Sequence, residues 1–297
     1  MTTTIAPPSP SPAAPPPLTP GSRTAVRVLL VVAAAVLLIG TVGSLAVAAF
    51  GLSALRMTTD SEPLPRAMRS LTVDTADSTT LVRIVADDAA AEPRVDLRQV
   101  DSRRSPSAAV SVTNEPGGTR VTVASQPGAF MDWNRTGELT VTLPPELARR
   151  LSVTVQQEDG VVMAQADLDQ LVARTSDGAV MLSGAARRIE ITSQDGSVIT
   201  KDPISVTESF SATTSDGGIS VDFKDAAPKT VDATSRDGDV TIALPPRGPY
   251  LVDANTDHGD GSTEVRVPQT NDPHDAAALV TARSTDGNVV VTTLGRS

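Results

Sequence analysis

Cysteine is absent from the 297 residues, and there are only two histidines, one tryptophan and one tyrosine. Without thiols there are no disulfides, thiolate zinc sites or cysteine nucleophiles, and the redox compartment is left open. Aromatic residues make up 2% of the chain, so a core has to be filled by Val, Ile, Leu and Ala. The same scarcity removes most of the stacking platforms that a glycan-degrading enzyme uses. Basic residues are outnumbered, with 25 Lys and Arg against 35 Asp and Glu and a formal net charge of -10. That balance argues against a nucleic-acid partner, because phosphate backbones demand clustered Lys and Arg. It also disfavours close approach to anionic lipid. No Gly-x-Ser-x-Gly elbow, His-Glu-x-x-His helix or phosphate loop is present, which takes away the common signatures of hydrolase, metalloprotease and nucleotide chemistry.

What is present begins with a tail. The first twenty residues hold eight prolines, and residues 1–22 carry no charged side chain, so residues 1–24 are predicted to be a disordered or polyproline-II-like tail. From Val28 to Leu55 there are 28 residues without a charge. As a helix they would measure about 42 Å against a hydrocarbon core of about 30 Å, enough to cross with tilt. The run is about twice as long as the apolar region of a cleaved signal peptide, and it has no polar face. Residues 25–55 are therefore predicted to be a single transmembrane helix, with the membrane contacted through residues 28–55. Arg23 and Arg27 on one flank face Arg56, Arg66 and Arg69 on the other, so charge alone does not set the orientation. Residues 56–70, with Pro63 and Pro65, are read as a juxtamembrane linker.

Beyond the linker the pattern alternates as strands do. The segments 81–85, 94–100, 108–113, 119–124, 138–143 and 151–155 are short, and each is followed by turn-forming residues. Phe130 and Trp133 lie in the longest intervening loop and read best as a plug at the end of an aliphatic core. An Asp-Gly pair set between apolar runs then recurs six times: Asp159-Gly160, Asp177-Gly178, Asp195-Gly196, Asp216-Gly217, Asp237-Gly238 and Asp286-Gly287. The Asp residues are spaced 18, 18, 21 and 21 residues apart and then 49, and the last gap contains an irregular Asp257 to Gly261 that suits one degenerate copy. Asp-Gly fits the centre of a type I′ turn, where both residues need positive φ. Near-regular short periods indicate stacked repeats. The predicted fold is all-β, a β-solenoid repeat domain over residues 71–297, with an antiparallel meander or sandwich as the alternative. Leu143-Pro144-Pro145 and Leu244-Pro245-Pro246 each follow an alternating run and are predicted to end strands.

These features resemble the bacterial putative-adhesin domains of the cell envelope. That family is one of unknown function, built from Ser-x-Asp-Gly-x-Val-like strand turns that often follow one transmembrane helix. The resemblance covers about residues 71–294 and is clearest from Leu139 onward. It implies an envelope protein with a cytoplasmic N-terminus and an extracytoplasmic β-domain serving adhesion, scaffolding or protein interaction, with an envelope protein or glycan as partner. It brings no catalytic residues. An accessory role in envelope-stress signalling is the alternative, and a polysaccharide-active enzyme is disfavoured. His258 and His274 sit in polar loop sequence and read as exposed loop residues. Calcium-binding β-rolls use a nine-residue period, about half of this one. The Asp-Gly pairs are thus taken as structural turns, with no catalytic, cofactor or metal site assigned and the oligomeric state left open.

Overall fold

The computed structural model describes residues 55–75, 78–102, 109–124, 137–257 and 261–295. The expected tail, the segment 28–54, the loop with Phe130 and Trp133, and His258 lie outside the described residues. Among the described residues no helix is long and apolar enough to cross a membrane. Leu55–Ser297 form one compact unit.

That unit is built from strands stacked in parallel, coil upon coil. Two early coils are single bent strands that run straight through their Asp-Gly pair, β8 (Ser152–Gln165) and β9 (Leu168–Ser183). Later coils break at the turn into two strands: β10 (Ala185–Ser193) and β11 (Ser197–Thr200), β12 (Ser205–Thr214) and β13 (Ile219–Asp222), β14 (Thr230–Ser235) and β15 (Val240–Leu244). The first strand of each coil pairs in parallel with the first strand of the next, and the second with the second. The parallel register decides for the solenoid and against the antiparallel meander.

Register follows from what each position buries. Leu71, Val153, Leu171, Ile189, Phe210, Val231 and Val280 form one column, and Val73, Val155, Ala173, Ile191, Ala212, Ala233 and Ala282 form the next. All of them are buried in one continuous core. A slip of one residue would turn both columns out to water. Phe210 and Phe223 meet edge to face at 5.3 Å across the interior, one of the few aromatic contacts such a sequence allows. Of the three residues by which the repeat lengthens from 18 to 21, two enter at the return before β12 and the third is a bulge between Val206 and Ser209. One residue separates β9 from β10, but four separate β11 from β12 and seven separate β13 from β14.

Chain order and stacking order part company at both ends. β2 (Ser70–Asp74) and β3 (Thr80–Ala86) lie between β8 and the later strands β6 (Gly118–Ala124) and β7 (Gly137–Leu143). At the other end, β18 (Leu279–Ser284) and β19 (Val289–Thr293) slot between β14/β15 and the earlier pair β16 (Leu251–Thr256) and β17 (Thr263–Arg266). The 49-residue gap therefore does hold a degenerate coil, but it is the outermost one. Val289 to Val291, which looks like a last strand in sequence, is flanked on both sides.

One expectation needs revision here. Residues 56–70 are not a free linker. β1 (Leu55–Pro63) pairs antiparallel along its whole length with β4 (Arg94–Ser102), and Leu64 and Met68 are buried. β1 has no alternating apolar face because it is an edge strand held through its backbone, so period-two patterning could not reveal it. β4 pairs antiparallel with β7, and β5 (Ala109–Glu115) pairs antiparallel with β6, so this end of the stack is closed by antiparallel strands. The two Leu-Pro-Pro stretches do end strands. β7 stops at Leu143 before a short helix α1 (Pro145–Ala148), and β15 stops at Leu244.

Candidate functional site

The solenoid brings the six Asp-Gly pairs into one row along an edge. Asp159 and Gly160 lie in register with Asp177 and Gly178, and each later glycine comes up against the carbonyl of the glycine one coil earlier. The expected type I′ hairpin is not what they form. Asp225 is the one non-glycine with positive φ among the described residues, and of the six glycines only Gly160 (φ 128°) and Gly178 (φ 124°) have it. A hairpin turn reverses the chain onto its own neighbour, whereas these corners pass it from one face of a coil to the other, which removes the need for two left-handed residues.

Glycine is required for a different reason. A Cβ on Gly178, Gly217, Gly238 or Gly287 would lie well under 3.0 Å from the carbonyl oxygen of Gly160, Gly196, Gly217 or Gly238 respectively. The backbones at this edge approach too closely for any side chain. Behind the glycines runs a second row, a hydroxyl two residues before every Asp but the first, at the Ser position of the Ser-x-Asp-Gly turn. Ser193, Thr214, Ser235 and Ser284 accept from the N–H of the glycine in their own turn, at 3.0, 3.3, 2.9 and 2.9 Å. Thr214, Ser235 and Ser284 also donate to the glycine carbonyl one coil back, each at 2.9 Å, and Thr256 continues the row by donating to Gly287 at 3.1 Å. Each hydroxyl thus spends its donor between coils and its acceptor within its own corner, which satisfies buried backbone groups that the turn would orphan. Ser or Thr stands two places before Asp in every copy but the first, where Gln157 stands instead. Gln157 is also where the row fails: both polar atoms of its side chain, and Thr75 Oγ1, are buried without partners.

The carboxylates themselves point outward and crowd one another. Asp216 beside it, with Asp177 adding, pushes the Asp195 carboxyl above the ordinary carboxylate range. Asp237 is pushed up too, chiefly by Asp216. Asp216 is held down, through its bonds with Asp237 and then Arg236. Arg236 spans the two acids, Nη2 donating to Asp216 at 2.7 Å and Nε to Asp237 at 3.1 Å. Stacked unit charges about 4.8 Å apart repel by roughly 1 kcal/mol in a water-like dielectric, and Arg236 offsets part of that. Among the described residues no group of three or more His, Asp or Glu side chains is placed to hold a metal ion. His274 lies in an exposed loop where its backbone N–H donates to Asp272.

A second polar cluster joins three coils. Arg187 donates to both carboxylate oxygens of Asp169 at 2.8 and 3.0 Å and to Glu208 at 2.7 Å. The guanidinium holds both carboxyls below their usual range, and they raise its own pKa in turn. The three residues are separated by 18 and 21 positions, the repeat lengths, so the cluster is one outward position read on consecutive coils.

With this geometry in view, residues 99–293 match the family model described as Toastrack, DUF4097. The chain belongs to this family. No curated protein matches it. Solved structures similar to this Toastrack chain include a putative adhesin from Parabacteroides merdae, at 11% identity and TM-score 0.45, covering 80% of this chain and 96% of that one. A putative adhesin from Parabacteroides distasonis shows 14% identity and TM-score 0.41, with 80% and 97% covered. A putative adhesin from Bacteroides fragilis shows 12% identity and TM-score 0.39, again with 80% and 97% covered. In the Toastrack domain described here, the Asp-Gly edge is a device for stacking coils, and its chemistry is that of a regular charged surface.

Proposed function

We propose that this Toastrack protein is a membrane-anchored component of the bacterial cell envelope whose solenoid serves adhesion, scaffolding or protein contact on the extracytoplasmic side. The observation that carries this reading is the repetition of outward side chains from coil to coil. The Asp row with Arg236, and the Asp169–Arg187–Glu208 cluster, form ribs of fixed spacing on a rigid wall. A surface of that kind presents many equivalent contacts to an extended partner, as the long faces of solenoids do. The uncharged stretch from Val28 to Leu55 supports the anchor, and the family resemblance supports a cytoplasmic N-terminus. On this reading the domain binds and does not catalyse.

The test uses residues 55–297, because a start at residue 71 would remove β1 from β4. Immobilised protein is exposed to cell-wall, membrane and secreted-protein fractions, and retained material is compared with that held by a variant bearing Arg187→Ala and Arg236→Ala. Selective retention that the variant loses is the expected result. Equal retention by both proteins, or none by either, would remove the binding role from these ribs.

A further inference from the structure

The net charge of -10 conceals a local exception. A cleft of about 490 Å³ is lined, among the described residues, by Arg66, Ala67, Met68, Arg69 and Arg150. Met68 is buried, while the three arginines are exposed. Adjacent chain segments hold the cleft in place: Arg69 precedes β2, Arg150 precedes β8, and the two segments are tied where Ser152 N–H donates to the Arg69 carbonyl at 3.0 Å. Arg66 pairs with Glu92, whereas Arg69 and Arg150 have no carboxylate partner among the described residues. Most other described arginines in this acidic chain do have one, including Arg83, Arg94, Arg120, Arg149, Arg174, Arg187, Arg188, Arg236, Arg266 and Arg283.

Two further features bear on what the cleft takes. β2 runs from Ser70 beside the cleft to Asp74 at the turn side, and β8 runs from Ser152 to the Asp159 turn, so the cleft and the acidic row occupy opposite edges of the same coils. The cleft is thus a local basic patch set away from that row, where an anion meets the least repulsion from it. Guanidinium forks bind carboxylate and phosphate alike in paired, charge-assisted hydrogen bonds, but a phosphate carries more charge and a third acceptor oxygen, so it can take donors from more than one arginine at once.

We propose that this cleft is a binding site for a phosphate group, with Arg69 and Arg150 as its principal donors and Arg66 closing the rim. It does not depend on the adhesion reading. The phosphate belongs either to a phospholipid headgroup or to a free anion, and the two sources are separable. The full chain in micelles of an uncharged detergent is titrated calorimetrically with inorganic phosphate, and separately with micelles doped with phosphatidylglycerol. The variant pair Arg69→Gln and Arg150→Gln is compared with Arg98→Gln and Arg247→Gln, which removes the same charge from two exposed arginines elsewhere that also lack a carboxylate partner among the described residues. Loss of both cleft donors should weaken binding of at least one probe about tenfold or more, and added salt should weaken it further. The control pair should leave it within about twofold. A response to doped micelles alone assigns the site to headgroups, and a response to inorganic phosphate assigns it to the free anion. No binding of either probe, up to about 10 mM phosphate, or equal losses in the two double variants, would overturn the proposal.

Discussion

At the scale of single residues, the first point of interest is Gln157, which breaks the hydroxyl row. Its neighbour one coil on, Thr175, donates to the Glu158 and Asp177 carbonyls at 3.2 and 3.0 Å, while the Gln157 amide is buried with neither its oxygen nor its nitrogen satisfied. Replacing Gln157 by Thr removes two unpaired buried atoms and installs the group used elsewhere in the row. We expect a gain of about 1 kcal/mol in urea unfolding. A loss of similar size would mean that the longer side chain fills space whose packing outweighs its unpaired polar atoms. Titration of the carboxylate row gives a second residue-scale test. The folded-state pKa values of Asp195 and Asp237 are raised, so the stability they contribute is fully present below the ordinary Asp value and is lost as pH rises through the raised one. Asp216, Asp169 and Glu208 are depressed; what they contribute is present above the ordinary carboxylate values and disappears as pH falls through the depressed ones. Asp195→Asn should therefore melt at or above the wild-type temperature at neutral pH, with the difference closing as pH falls below about 3.9. A lower melting temperature for the variant at neutral pH would show that the charge itself holds the turn.

The strand is the next scale up, and there the glycine row sets the distance between coils. Gly217 is sandwiched, since a Cβ on it meets the Gly196 carbonyl and one on Gly238 meets Gly217. The atoms in the way are backbone, so the strain of Gly217→Ala can be relieved only by parting the coils and stretching the bonds from Thr214 and Ser235 to the glycine carbonyls. A cost of about 3 kcal/mol is expected, with faster amide exchange in β12 to β15. A change under about 0.5 kcal/mol would show that the coils have slack. This row also shows what was legible beforehand. Asp-Gly spacing and alternation located β8 to β15 and the buried columns, because side-chain burial writes a period into sequence. Positive φ, the expected reason for the glycine, holds at Gly160 and Gly178 but not at the other four, since a contact between carbonyl and Cα of residues one coil apart leaves the same letters as a hairpin turn. β1 left no trace because its pairing with β4 uses backbone groups that every residue has. The Arg187 cluster was legible in principle, as Asp169, Arg187 and Glu208 stand one repeat apart, but only once the coils are known to stack in parallel. The cleft at Arg66, Arg69 and Arg150 was not, because Arg150 is joined to the others by the tie between Arg69 and Ser152.

Across the whole molecule, the exchange of chain order and stacking order makes the ends depend on each other. Solenoid stability is close to a sum of coil terms and nearest-neighbour contacts, so removing a terminal coil usually costs one interface and leaves the rest standing. Here the C-terminal strands are not at the end of the stack. β18 lies between β14 and β16, and β19 between β15 and β17. A chain that stops after Asp275 keeps β16 and β17 in sequence but deletes their partner coil in the sheet. Residues 251–266 then lose every ladder hydrogen bond to β18 and β19 and keep beside them the contacts of Tyr250, whose hydroxyl donates to the Pro245 carbonyl at 2.5 Å and whose N–H donates to Pro268 at 2.9 Å. The newly exposed edge is the inward column of Val231 and Ala233 on β14 and of Val240 and Ile242 on β15, all buried in the intact protein. Limited proteolysis should accordingly cut the truncated chain throughout 245–275 while β8 to β13 stay protected, and the shortened protein should self-associate through its uncovered edge. If residues 251–266 instead remain protected, the degenerate coil has moved down one level to stack directly on β14 and β15. The order of the last two coils would then be a preference of the full chain, with the Val252, Ala254 and Val265 positions able to take the place of Val280, Ala282 and Val291.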